Sequence, residues 1–287
     1  MGQRICVTGA SGQAGRAVVR ELREHGYDVV ATDIAVSGED GKAGMLRADL
    51  TDYGQAAEAL QGTDAVVHLA NIPAPGLRTP AVTFNANTTM NFNVFMAAAT
   101  LGLSRVVWAS SETTLGLPFD VPPRYVPVDE DHYPVPTTTY ALSKVASETV
   151  AGHIAQWSGK AFIALRLSNI IASTGYQRFP SFWADTATRS WNLWGYIDER
   201  DAAAAFRLAL SAPEEAVAGS PSFIIAAADT VMNRPSANLL AQQFPDVPLR
   251  GEISEFGTLL SIDRARKVLG FEPRHTWRDH VPAQARQ

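Results

Sequence analysis

Cysteine is almost missing from this chain: one residue in 287, Cys6, so no intrachain disulfide can form. It stands in the apolar run Arg4-Ile5-Cys6-Val7-Thr8, where a small buried strand residue is expected rather than a nucleophile. Histidine is also scarce, with six residues and no metal-ligand spacing, and no catalytic metal is expected. Charged residues make up 18% and the net charge is −5 with no basic run, which argues against a nucleic acid or a membrane surface as partner. No apolar stretch approaches the ~18 residues of a membrane span, and the N-terminus lacks a long apolar signal core. A cytoplasmic protein is therefore expected.

Apolar residues are plentiful, at 46%, enough to bury a substantial core in one large α/β domain or in one domain with a smaller cap. Short β-branched runs read as strands at Arg4–Thr8, Asp28–Thr32, Asp64–Ala70, Arg105–Ser110 and Phe162–Leu167. Helical patterns alternate with them at Gly12–His25, Tyr53–Gln61, Pro80–Leu101 and Tyr140–Trp157. Such alternation predicts an α/β fold, a parallel sheet with helices on both faces. After Leu167 the pattern loosens, with a helix at Asp198–Leu210 and a strand at Ser222–Ala227. We expect residues 1–170 and 196–228 to form the main sheet domain, and 171–195 with 229–287 a small substrate-side lobe.

Gly9, Gly12 and Gly15 follow the first strand and open the first helix. The first glycine permits a tight turn, the second lets backbone approach a pyrophosphate, and the third lets helix and strand pack closely. The helix N-terminus at Gln13 and Ala14 then offers free N–H groups to phosphate. Asp33, at the end of the second strand, is placed for the adenosine ribose hydroxyls and would repel a 2′-phosphate, so NAD is favoured over NADP.

Tyr140 and Lys144 lie one turn apart on one helix face. A free tyrosine has a pKa of about 10, so service as a base near neutrality needs a shift of roughly 3 units, or about 4 kcal/mol. An ammonium at this spacing supplies part of that.

Together these features resemble the extended short-chain dehydrogenase/reductases, the NAD-dependent epimerase/dehydratase group, and most closely its compact uronate-dehydrogenase-like branch. The glycine spacing, Asp49-Leu50, His68-Leu69-Ala70, Asn87, Ser110-Ser111, Tyr140, Lys144, Glu148, Arg166 and Asn169 occur in that family's order. The resemblance implies a Rossmann-type doubly wound parallel sheet with a small C-terminal substrate-binding lobe. It implies NAD held by Gly9, Gly12, Gln13, Ala14, Gly15, Asp33, Asp49, Leu50, Leu69, Ala70, Asn87, Tyr140 and Lys144. Tyr140 is then the acid/base, Lys144 lowers its pKa, and Ser111 bonds the reacting oxygen. His68, in an apolar strand, is expected to be a packed core residue without a chemical role.

The pattern also bears on the reaction. Family dehydratases carry Asp-Glu after the active-site hydroxyl, whereas Glu112-Thr113 stands here. Nucleotide-sugar epimerases carry a long Gly-rich insert where about 30 residues separate Arg166 from Tyr196. The expected activity is NAD-dependent oxidation of a sugar or sugar acid, with substrate contacts from Ser111, Glu112, Asn169 and Arg178. An exposed loop arginine is an equal reading of Arg178, and Glu112 adds negative charge that sets a uronic acid in question. The alternative activity is a nucleotide-sugar epimerase with tightly bound, recycled NAD. A homodimer formed through residues 80–101 and 139–158 is also implied, with Met90, Phe92, Val94, Phe95 and Met96 as apolar surface.

Overall fold

The computed structural model describes residues 2–36 and 44–281. The stretch after Asp33, which bears on NAD against NADP, is thus described only to residue 36, and the last six residues of the expected lobe also fall outside. Strands β1 (Arg4–Thr8), β2 (Asp28–Asp33), β3 (Leu46–Arg47), β4 (Ala65–His68), β5 (Arg105–Ser111), β6 (Ala161–Leu167) and β9 (Ser222–Ile225) form one sheet, ordered β3-β2-β1-β4-β5-β6-β9. All its pairings are parallel. β7 (Ile170–Ile171) and β8 (Ile197–Asp198) form a second, two-stranded sheet.

Both faces of the main sheet are buried, and the side-chain period of two splits each strand between them. Ile5, Val7, Val67, Val107, Ile163 and Leu165 face the layer of helices α1 (Gln13–Glu24) and α5 (Glu199–Ser211). Cys6, Val66, Val106, Trp108, Phe162 and Ala164 face α2 (Tyr53–Leu60), α3 (Pro80–Thr100) and α4 (Thr139–Ser158). Cys6 is fully buried, and burial pushes its thiol up to about 12, as a packed strand residue requires. Of the five apolar residues expected on α3, Val94 and Phe95 pack inward, while Phe92 stays exposed.

Residues 173–192 fold as two 3₁₀ segments, with α6 (Ser236–Gln243) and α7 (Asp263–Leu269) following later in the chain. Trp183 donates through Nε1 to Val231 O and stacks near Trp277, which joins the two halves of this C-terminal packing. Their core is continuous with the α1/α5 face of the sheet.

Strand order reverses between β1 and β4, the crossovers from β1 running one way and those from β4 the other. In open α/β sheets the crevice at such a switch point, beyond the C-terminal strand ends, is where ligands bind.

Candidate active site

A cleft of about 1090 Å³ opens at that switch point. Its floor begins at the turn between β1 and α1. Gly9 has φ +68, and a Cβ there would lie 2.6 Å from Ala70 N, so only glycine lets this turn touch the end of β4. At Gly15 a Cβ would sit 2.0 Å from Gly9 O, which is how closely helix and turn pack. Gly12 faces the cleft with only Gly9 O near its missing side chain, leaving the α1 N-terminus open to a phosphate. Asp33 takes Ser11 N–H at 3.0 Å through one oxygen and Ala35 N–H at 3.1 Å through the other, and lines the same cleft. This donor-rich turn with a carboxylate at its far end fits an adenosine diphosphate without a 2′-phosphate.

The structure brings most of the sequence-predicted residues together. Gln13, Ala14, Asp49, Leu50, Leu69 and Ala70 line the adenosine half, and Ser111, Glu112, Tyr140, Lys144 and Asn169 line the other. Asn87 does not line it. It is buried behind the wall, where it accepts from Ile72 N at 2.8 Å and donates to Ile72 O at 3.1 Å, fixing the loop after β4. Arg178 is exposed on the first 3₁₀ segment and is not among the lining residues. Arg78, Ser168 and Trp191 line the cleft without having been singled out. Their loops carry no periodicity, and only Trp191 falls within the stretch 171–195 expected on the substrate side.

The α4 helix is aimed by its cap: Thr138 Oγ1 accepts from Ala141 N at 3.0 Å. One turn in, Tyr140 and Lys144 are both buried. Lys144 Nζ donates to Ala109 O at 2.7 Å and lies 5.6 Å from the Tyr140 ring centroid. Ser111 Oγ accepts from Thr113 N at 3.2 Å and from Thr113 Oγ1 at 3.0 Å, which leaves its own proton directed toward Tyr140.

Burial dominates the electrostatics. It pushes the Tyr140 phenol up to about 12, a hydrogen bond with Ser111 easing it and the charge of Glu112 adding to it. It pushes the Lys144 ammonium down to about 7, with Glu148 opposing. The expected lowering of Tyr140 by Lys144 is not among the influences on the phenol here, where Nζ is held by a strand carbonyl and burial dominates both groups. Glu148 in turn is gripped by Arg166 (Nε 3.1 Å, Nη2 2.8 Å) and by Ser110 Oγ at 2.6 Å.

His68 is fully buried, as expected of a core residue, yet it is wired. Thr8 Oγ1 accepts from Leu69 N and Ala70 N and donates to His68 Nδ1 at 2.7 Å. His68 Nε2–H then donates to Asn91 Oδ1 at 2.8 Å, and Asn91 Nδ2 donates to Ser147 Oγ at 2.7 Å. Burial lowers the imidazole to about 3, so it stays neutral and braces β1 and β4 against α3 and α4.

The glycine turn, the Asp33 carboxylate and the Ser111, Tyr140 and Lys144 side chains share one cleft of a Rossmann-type sheet, the arrangement of an NAD-dependent enzyme. The chain belongs to the NAD dependent epimerase/dehydratase family, which matches residues 5–226. Its relatives include a UDP-glucose 4-epimerase of Lacticaseibacillus casei, 29% identical over 58% of this chain and 51% of that protein. An L-arabinose 1-dehydrogenase (NAD(P)(+)) of Haloferax volcanii is 29% identical over 59% of this chain and 68% of its own length. This chain thus spans about half the length of the UDP-glucose 4-epimerases it matches. Among solved structures, a UDP-galactose 4-epimerase superposes with a TM-score of 0.72 at 27% identity, covering 99% of this chain and 98% of that one. A mutated uronate dehydrogenase superposes at 0.68 and 21% identity, covering 98% and 86%, and shares the fold.

Proposed function

We propose that the protein is an NAD-dependent dehydrogenase that oxidises a hydroxyl of a sugar or sugar acid. The observation carrying this reading is the cluster of Ser111, Tyr140 and Lys144 on the wall continuous with the glycine turn and Asp33. NAD supplies the chemistry of the step by taking up the hydride. Tyr140 takes the hydroxyl proton as the carbon loses its hydride, and Ser111 donates to the same oxygen. Lys144, with protons beyond the one given to Ala109 O, would bond the nicotinamide ribose and, in its protonated form, support the developing phenolate. Gly9, Gly12, Gln13, Ala14, Gly15, Asp33, Asp49, Leu50, Leu69 and Ala70 would hold the rest of the cofactor, and Glu112, Asn169 and Ser111 the substrate. The 3₁₀ segments after Asn169 turn their aromatic side chains Tyr176 and Phe179 into the core, which favours a compact substrate.

An epimerase that retains and recycles its NAD is the second reading, favoured by the likeness to UDP-galactose 4-epimerase along almost the whole chain. The two part on one experiment. Purified protein given NAD and a panel of free sugars, sugar acids and nucleotide sugars forms NADH stoichiometrically with product in the first reading. In the second it interconverts epimers with no net NADH. Exposed Phe92 on α3 and Leu142 on α4 support a homodimer through these helices, and light scattering at a monomer mass would remove it.

A further inference from the structure

At the reacting end of the cleft, four buried polar atoms lack hydrogen-bond partners: Glu112 Oε2, Ser168 Oγ, Asn192 Oδ1 and Arg189 Nε. They belong to one cluster. Asn192 Nδ2 donates to Glu112 Oε1 at 3.3 Å, and the Ser168 hydroxyl, the charge of Arg189 and the Asn169 N–H lie close enough to favour the ionised acid, though the Ser168 contact is not a well-formed bond. Arg189 is held from the far side, donating to Gly195 O at 3.0 Å with its guanidinium over Trp191 and Phe182. It does not line the cleft, whereas Glu112 and Ser168 do.

An acceptor that is buried and unpaired costs free energy unless something completes it. A carboxylate oxygen in the wall of a site is completed by a donor, and an ionised substrate carboxylate has none. We propose that Glu112 is the specificity residue of this cleft: Oε2 accepts a substrate hydroxyl, and the carboxylate rejects sugars that carry a carboxylate of their own, so the substrate is an uncharged sugar. This rests on the sugar-oxidising reading and narrows it from sugars and sugar acids to neutral sugars. Glu112 also faces Tyr140, and its charge is felt there. The titratable and charged groups of its surroundings are Arg189 behind, the Tyr140 phenol, and Lys144 and Arg78, which line the same cleft. Arg78 is the one cleft-lining guanidinium among the described residues that a uronate could use instead.

The test pairs galactose with galacturonate, glucose with glucuronate and mannose with mannuronate, reading kcat/KM from NADH fluorescence in the wild type and in Glu112→Gln. The wild type should prefer the neutral member by about 100-fold, and Glu112→Gln, which keeps the shape and removes the charge, should narrow the gap by about tenfold. NAD affinity should be unchanged. A wild-type preference for a uronate overturns the proposal while leaving the dehydrogenase reading intact, and so does a gap that Glu112→Gln does not alter. Should the panel give no NADH, that reading fails. Calorimetry of the same pairs on the Tyr140→Phe protein with NAD then decides: tighter binding of the neutral sugar sustains the proposal, and equal or tighter binding of the uronate, or binding of neither, overturns it.

Discussion

In the proposed reaction Tyr140 is the acid/base, and its surroundings resist that role. A phenol pushed up to about 12 by burial is a poor base on its own, so the reaction must bring the positive charge that the buried site withholds. Replacing Tyr140 with Phe should lower turnover by about 10²–10⁴-fold while leaving NAD affinity intact, measured by NADH formation and by cofactor titration. Glu112 makes a second prediction. Burial pushes its carboxyl from 4.5 up to about 7, so it loses its charge as pH falls through about 7. Discrimination against uronates should therefore weaken between pH 8 and pH 6 by up to about tenfold, and Glu112→Gln should flatten that profile. Lys144 also titrates near 7, and its gain of charge favours a uronate in the same direction, so the part of the slope that Glu112→Gln removes is the part due to Glu112. His68 gives a stability prediction. Its folded pKa, about 3, is below its unfolded value, so the unfolded chain binds more protons between about 3 and 6.5. Stability is then lost as pH falls through that window, by up to about 1.4 kcal/mol per unit from this residue. His68→Gln should show a shallower acid slope in denaturant titrations.

At the scale of elements, α4, which carries Tyr140 and Lys144, is tied to the sheet through a largely buried pair. Arg166 on β6 is buried and Glu148 on α4 is nearly so, and their bidentate contact sets the helix against the strand that carries Ser110 and Ser111. Removing one partner strands a charge: Arg166→Met should cost about 3–5 kcal/mol in chemical denaturation, and Arg166→Met with Glu148→Leu should recover most of it. The turn from β1 to α1 is equally unforgiving. Gly15→Ala places a methyl on a backbone oxygen that cannot rotate away, so about 1–3 kcal/mol of stability should go, together with NAD affinity.

Across the whole molecule, the strands that sequence makes legible are those buried on both faces. β1 matches its expected bounds, and β2, β4, β5 and β6 differ by one or two residues, because continuous β-branched runs leave few other arrangements. β3 was missed, as were β7 and β8: two residues carry no periodicity, and both residues of β3 are exposed. The cleft divides in the same way. Its adenosine half follows from local motifs, each within a few residues of a strand end. Its substrate half is assembled from distant loops, as Glu112 and Asn192, 80 residues apart, illustrate. Nothing local marks such a pairing, nor the outward turn of Arg178 or the retreat of Asn87 behind the wall.

Ser111, Tyr140 and Lys144 oxidising a sugar hydroxyl beside NAD is the central claim. It is tested most directly by following NADH and product together, in the wild type and in Tyr140→Phe, across a panel of sugars. The account predicts one NADH per oxidised sugar in the wild type and near-loss of both in Tyr140→Phe with NAD still bound. Unchanged turnover in Tyr140→Phe, or epimerised sugar without NADH in the wild type, would contradict it.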